Sequence, residues 1–331
     1  MIRNTLLAAL MALAAPAISL ADATAPTLDT TTKDATVSST EAQADSPDAC
    51  PLSGSLSVGY NTNYIGRGIV ISHSVAEGDS SEFAALQLNY KLNEKWSVDS
   101  TLAYTMVSSG HTLYGNPEFA PIYGYFGMRG PINEANIENE FAVVTALTYR
   151  EKEWRVSVGH DFIHGGLLGV MAKHYRDQGA SCVNEFFIKP MWTPSGAPWF
   201  EAECTVRFSC QGITGWWFEP KMRFKAPLLG TAENPRLAGI VELGLSATAD
   251  YFESRYFACS NGGQAYWVKF MVPYFVNENF IVTPSLSLNW LGRAAIKANK
   301  VSEYARFSGD PNNRPFRNFG VVAGISCTYR F

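Results

Sequence analysis

Three observations predict an all-β chain folded as a closed antiparallel transmembrane β-barrel of about twelve strands. From Pro51 onward apolar and polar side chains alternate with a period of two, connections alternate between short and long, and aromatic residues gather where the short connections meet the strands. An even strand number returns the chain to the side it started from. With short turns facing the periplasm, as in bacterial barrels, both termini are expected to be periplasmic.

Composition agrees with this class. The chain is 13% aromatic and only 17% charged, with 27 glycines and a mean hydropathy of −0.05. Beyond the N-terminus no run of about 18 apolar residues occurs, which argues against membrane-spanning helices. A barrel hides its apolar band by alternating it with polar lumen residues, so its mean hydropathy stays near that of a soluble protein. A net charge of −4 argues against a nucleic-acid partner, which calls for a basic domain.

Residues 1–21 read as a signal peptide: Arg3 supplies the positive start, Leu6 to Leu20 the apolar core, and Ser19-Leu20-Ala21 the small-residue cleavage site. Residues 22–50 contain almost only Asp, Ala, Thr, Ser, Pro, Glu and Gln, with no aromatic, and are expected to be a disordered periplasmic linker. The barrel then occupies residues 51–331. Strands are expected over 55–68, 82–92, 95–108, 139–150, 153–163, 182–192, 199–210, 215–227, 236–251, 264–276, 279–291 and 317–331. The tenth is typical. Tyr266, Val268, Phe270, Val272 and Tyr274 fall on one face, and Trp267, Lys269, Met271 and Pro273 on the other. Aromatics such as Tyr90, Trp96, Tyr149, Trp154, Trp192 and Trp199 flank the short turns and suit the lipid headgroup level.

If odd-numbered residues of the sixth to eighth of these strands face inward, the lumen receives Glu185, Lys189, Glu201, Glu203, Arg207, Glu219, Lys221, Arg223 and Lys225. Pairing Trp192 with Phe200 sets Glu185 opposite Arg207 and Lys189 opposite Glu203. Centring the next hairpin on Gly212 sets Glu203 opposite Lys221 and Glu201 opposite Arg223. Opposed unlike charges stabilise a strand pair by roughly 0.2–1 kcal/mol. Such a lattice can act as a charged constriction that selects solutes, or simply fill the lumen with paired charges.

The register that pairs Trp192 with Phe200 also brings Cys182 opposite Cys210 on the outward face. Opposed Cα atoms are then about 4.5 Å apart, so a disulfide is expected there, with Cys259 as the competing partner. The spacing of the six cysteines fits no metal pattern, and neither a metal nor a cofactor is expected. Around the last long loop, Arg293, Lys297, Lys300, Arg306 and Arg314 outnumber their acidic neighbours, which fits either an ordinary solvated basic loop or contact with the phosphates of lipopolysaccharide.

The C-terminal Gly324-Ile325-Ser326-Cys327-Thr328-Tyr329-Arg330-Phe331 resembles the terminal strand signal of outer-membrane barrels, and Tyr64-Ile65-Gly66-Arg67-Gly68 is similar to the Tyr-x-x-Arg-Gly start of TorF-type porins. The resemblance implies a porin in the cell outer membrane, delivered by the barrel-assembly machinery through its last strand. Its partners would be outer-membrane lipid, lipopolysaccharide and small polar solutes.

Two other functions compete with passive diffusion. A binding or adhesion barrel would act through loops such as 109–138, which carries Tyr114, Phe119, Tyr123, Tyr125 and Phe126. An outer-membrane hydrolase is disfavoured: in a His-x-Ser pattern ending on Ser260 the base position holds Ala258, and none of the five histidines has a Ser two residues later. His160 and Asp161 are adjacent on a strand and should point to opposite faces. The chain is therefore not expected to be an enzyme.

Overall fold

A computed structural model describes residues 51–67, 69–71, 80–108, 139–165, 182–211, 214–231, 234–250, 261–301 and 318–331. The proposed signal peptide and linker lie outside these residues. The strands, in chain order, are β1 (Leu52–Asn61), β2 (Tyr64–Gly66), β3 (Ile69–Ile71), β4 (Ser80–Lys91), β5 (Trp96–Ser108), β6 (Glu140–Arg150), β7 (Trp154–His164) and β8 (Cys182–Trp192). They continue with β9 (Phe200–Gln211), β10 (Gly215–Gly230), β11 (Pro235–Ala249), β12 (Gly262–Met271), β13 (Tyr274–Phe275), β14 (Phe280–Leu291) and β15 (Phe319–Arg330), with helix α1 (Arg293–Val301) after β14.

Each long strand pairs antiparallel with its neighbour in sequence, β10 pairs with β11, and β1 pairs with both β4 and β15, so the sheet closes on itself. With β12 and β13 as one interrupted strand, and β2 and β3 apart in their own small sheet, the barrel has twelve strands. Closure leaves no unpaired sheet edge.

Asparagines shape two of the short turns. The side-chain oxygen of Asn93 accepts hydrogen bonds from the N–H groups of Lys95 and Trp96 at 2.9 and 3.0 Å, and that of Asn277 accepts from Asn279 and Phe280 at 2.9 and 2.8 Å. Outward-facing Leu102, Leu147, Val158, Ile188, Met222, Leu286 and Ile325 form an exposed apolar band. Aromatic pairs border it at the short-turn end, with Trp96 on Tyr149 at 5.0 Å and Trp154 on Trp192 at 6.0 Å. A second border, which the sequence reading did not anticipate, lies at the other end, where Phe208 meets Trp216 at 4.9 Å and Trp290 meets Phe319 at 5.4 Å.

The first strand departs most from expectation. It leaves the wall at Asn61 instead of running to residue 68, and β2 and β3 form a separate hairpin linked by Arg67-Gly68. Arg67 has a left-handed backbone (φ 51°), which suits the mirror-image turns that join two strands through two residues. The backbone oxygen of Arg67 accepts a hydrogen bond from Ser246 Oγ at 3.1 Å, and Ser246 is an inward residue of β11, so the hairpin enters the lumen. A second departure is α1. It occupies the start of what was expected to be a loop and buries Ala294 and Ala295 against β12.

The β8–β9 register is shifted by two residues. In the connecting turn the N–H of Phe200 is held by Ala197 O at 2.9 Å, so Trp192 pairs with Ala202 and not with Phe200. Phe200 pairs instead with Phe224 on β10, while its ring still meets Trp192 edge-on at 6.2 Å. Glu185 consequently lies opposite Ser209, Phe187 opposite Arg207 and Met191 opposite Glu203. The expected disulfide is lost with that register. Cys182 pairs with His164 on β7, Cys210 Sγ points to Asn184 O at 3.4 Å, and both thiols are free.

Candidate functional site: the lumen

Strand alternation delivers the expected inward set. Odd residues of β8, β9 and β10 face the lumen, and β11 contributes even ones such as Glu242 and Ser246. The β9–β10 hairpin sets Lys221 opposite Glu203 and Arg223 opposite Glu201, the register expected from a turn centred on Gly212.

On this wall the charges form one connected lattice. Arg223 binds Glu201 at 2.6 Å, Glu242 at 2.7 Å and Glu203 at 3.1 Å. Lys225 reaches Glu201 at 2.8 Å, and Lys221 binds Glu219 at 2.7 Å and lies 3.9 Å from Glu203, which joins the two halves of the lattice. Arg207 joins Glu219 at 3.1 Å and Asp161 at 3.2 Å, and touches Glu185 diagonally at 3.8 Å despite the register shift. Arg67 reaches across the lumen to ion-pair with Glu185, with its guanidinium 4.9 Å from the ring centre of Trp217. Apart from Lys225, every lattice residue named here is at most 8% exposed. Charges buried to this degree hold their shape only while each partner is present, because an orphaned charge in such a site is costly.

Aromatic side chains laid over inward glycines pin the same wall. Gly244 lies opposite Trp267, and a Cβ on it would sit 2.1 Å from the indole. The close approach lets Trp267 Nε1 donate to Glu242 at 2.9 Å and places its ring 5.7 Å from the Lys221 ammonium. Gly159 receives Phe187 from β8 in the same way.

The opposite wall has another chemistry. From β14 through β15 and β1 to β7, the inward residues are chiefly hydroxyls and amides: Ser55, Ser57, Ser97, Thr105, Thr148, Ser157, Thr283, Ser287, Asn289 and Ser326 are buried there. They bond to one another, as Ser57 does to Thr328 at 2.9 Å and Thr148 to Ser157 at 2.8 Å. Along this wall, towards the short-turn end, runs a cavity of about 170 Å³. Its charged lining comprises Arg150, Arg155, Lys189, Arg330 and Asp99.

Of the nine charged residues predicted for the lumen, eight belong to the lattice, and Lys189 lines the cavity. Sequence reasoning did not assign Arg67, Asp161 or Glu242 to the lattice, nor Arg150, Arg155 and Arg330 to the cavity. His160 turns outward against Phe186 at 5.2 Å while Asp161 points inward to Arg207, so the two do not converge as a catalytic pair. Among the described residues no group of three His, Cys, Asp or Glu side chains is placed to hold a metal. Ser260, Arg306 and Arg314 lie outside the described residues, and Arg293, Lys297 and Lys300 belong to α1.

No family model matches the chain, and no curated protein matches it. Among solved structures it is similar to the KdgM porin, at 7% identity and a TM-score of 0.40 over 84% of this chain and 99% of that one. It is similar to the NanC porin at 11% identity and a TM-score of 0.44, over 85% and 100% of the two chains. The COG4313 outer membrane channel from Pseudomonas putida F1 is similar at 7% identity and a TM-score of 0.44, over 87% and 99%.

Proposed function

We propose that this chain is a porin-like channel of the bacterial outer membrane through which small polar solutes diffuse passively. The observation that carries this reading is the contrast across one closed wall: an apolar band bordered by aromatics outside, and a polar interior that keeps a cavity inside. A barrel in water would have no reason to expose Leu147, Val158 and Ile188 around its waist. A barrel without a transport role would have no reason to keep part of its interior unfilled.

The lattice narrows the bore rather than lining an open one. Its members are engaged with one another and shielded from solvent, so the route for a solute runs beside it, along the hydroxyl wall. Hydroxyls suit that task, since each can donate to or accept from a passing molecule. In this reading the short turns and both termini face the periplasm, the last strand is presented to the barrel-assembly machinery, and α1 sits at the outer mouth. Arg293 and Lys297, both exposed on α1, suit contact with lipopolysaccharide phosphates.

The test is conductance of the purified protein in a planar lipid bilayer. Discrete ohmic steps are expected. A folded barrel that inserts without conducting would overturn the reading in favour of a closed binding or adhesion barrel.

A further inference from the structure

Two of the cavity cations differ from those of the lattice. Every lattice cation has a carboxylate within 3.2 Å. Among the described residues Arg150 and Arg330 have none, and each keeps a buried guanidinium nitrogen, Nε of Arg150 and Nη2 of Arg330, with no hydrogen-bond acceptor. The one carboxylate on the cavity, Asp99, is already taken by neutral donors, the Asn89 amide and the Thr148 hydroxyl. Arg155 turns Nη2 toward Met191 Sδ at 3.1 Å. Moreover, Arg150 lies directly opposite Arg155 in the β6–β7 ladder, and both line the cavity. Like charges set face to face destabilise a strand pair. The Glu203 carboxylate offsets Arg155 in part, but Arg150 has no carboxylate among the described residues, so an anion beside Arg150 relieves the pair.

Resting on the channel reading, we propose that this cavity is an anion site that makes the pore select small organic solutes bearing carboxylates. Arg155 and Lys189 also face the Glu203 carboxylate of the lattice, whereas Arg150 and Arg330 have no carboxylate among the described residues and outnumber Asp99, so the cavity carries an excess of positive charge. The surrounding low-dielectric wall focuses that field on whatever passes. Guanidinium groups present paired N–H donors that match the two oxygens of a carboxylate, and flanking Ser55, Ser57 and Thr328 hydroxyls supply neutral bonds to the rest of a polar solute. At about 170 Å³ the cavity has room for several waters, at about 30 Å³ each in the liquid, or for one small organic acid.

The experiment is the reversal potential of the bilayer current across a potassium chloride gradient, followed by titration with succinate on one side. Wild type should prefer chloride to potassium, and succinate should reduce the chloride current in a concentration-dependent way. In the Arg150→Gln/Arg330→Gln variant the chloride preference should fall about threefold or more, and the succinate effect should weaken with it. Lys95→Gln, an exposed rim change at the same end, should leave both unchanged. A wild-type pore that conducts without anion preference, or a double variant that conducts with unaltered preference, overturns the proposal while the channel reading stands. If no protein conducts, the channel reading fails, and calorimetric titration of the detergent-folded barrel with succinate tests the site alone. Binding lost in the double variant supports the site, and no binding to wild type overturns it. If the double variant fails to fold, Arg150→Lys and Arg330→Lys made singly keep the charge but lose the fork, and weakened succinate block with retained chloride preference is the expected result.

Discussion

Between β8 and β11 the barrel faces inward with ionised side chains that satisfy each other; from β14 round to β7 it faces inward chiefly with hydroxyls and amides that share single hydrogen bonds. Both walls are polar, yet they answer different demands. A buried charge is tolerable only with its partner in place, so the lattice behaves as a unit and fixes the shape of the bore. A hydroxyl can exchange partners at little cost and can therefore serve solutes that come and go. Polarity alone does not mark a transport path; polarity that is not already committed does.

The sharpest way to break the contrast is Arg223→Met, which takes the shared guanidinium from Glu201, Glu203 and Glu242 at once. Removing one partner from such a cluster should cost about 3–5 kcal/mol, read as a lower urea midpoint for the barrel in lipid vesicles. Arg67→Ala should cost less, about 1.5–3 kcal/mol, since Glu185 keeps Arg207 nearby. It should also raise single-channel conductance, because the side chain that crosses the lumen is gone; an unchanged conductance would show that the hairpin lies clear of the route. On the other wall Ser57→Ala removes one bond to Thr328 and should cost about 0.5–1.5 kcal/mol in the same unfolding assay. A loss as large as that of Arg223→Met would erase the distinction between the walls.

The smallest effect lies outside the lumen, at the short-turn rim. Hydrogen bonds from Lys95 and then from the Tyr149 hydroxyl hold the Glu151 carboxyl below its usual range, and the bond to Glu151 in turn holds Lys95 above its own. The stabilisation is thus present above the unfolded carboxyl value and lost as pH falls through the lowered folded one. It is also present below the unfolded ammonium value and lost as pH rises through the raised folded one. Both groups are about half exposed, so Glu151→Gln should leave the neutral-pH midpoint almost unmoved and only flatten its decline in acid.

The strands were legible because a wall with lipid on one side and a polar interior on the other imposes alternation residue by residue. The β9–β10 register was legible too, since the connection is short enough to leave little choice. The β8–β9 register was not, because pairing Trp192 with Phe200 placed the centre of a longer connection from the sequence alone, whereas the turn uses the Phe200 N–H itself and closes two residues further on. Arg67 was missed although a signal was present: Gly66 and Gly68 interrupt the strand pattern between Tyr64-Ile65 and Ile69-Val70-Ile71, and glycines in such a place mark a turn or bulge. Period two alone could not separate that hairpin from a longer first strand. The cavity arginines sit near strand ends on β6, β7 and β15, and only closure of the barrel brings them together.

The inward hairpin also constrains the order in which the molecule can be made. Arg67 stands near the beginning of the barrel, yet its contacts with Glu185 and Ser246 span 118 and 179 residues of chain. Such distant contacts cannot form until the intervening strands have been laid down and the sheet has curved far enough to face itself. Until then Glu185 lacks its Arg67 partner and remains better served by water. The nascent sheet is accordingly more hydrophilic on its concave side than the finished barrel, and seating the hairpin becomes a late step that expels that water.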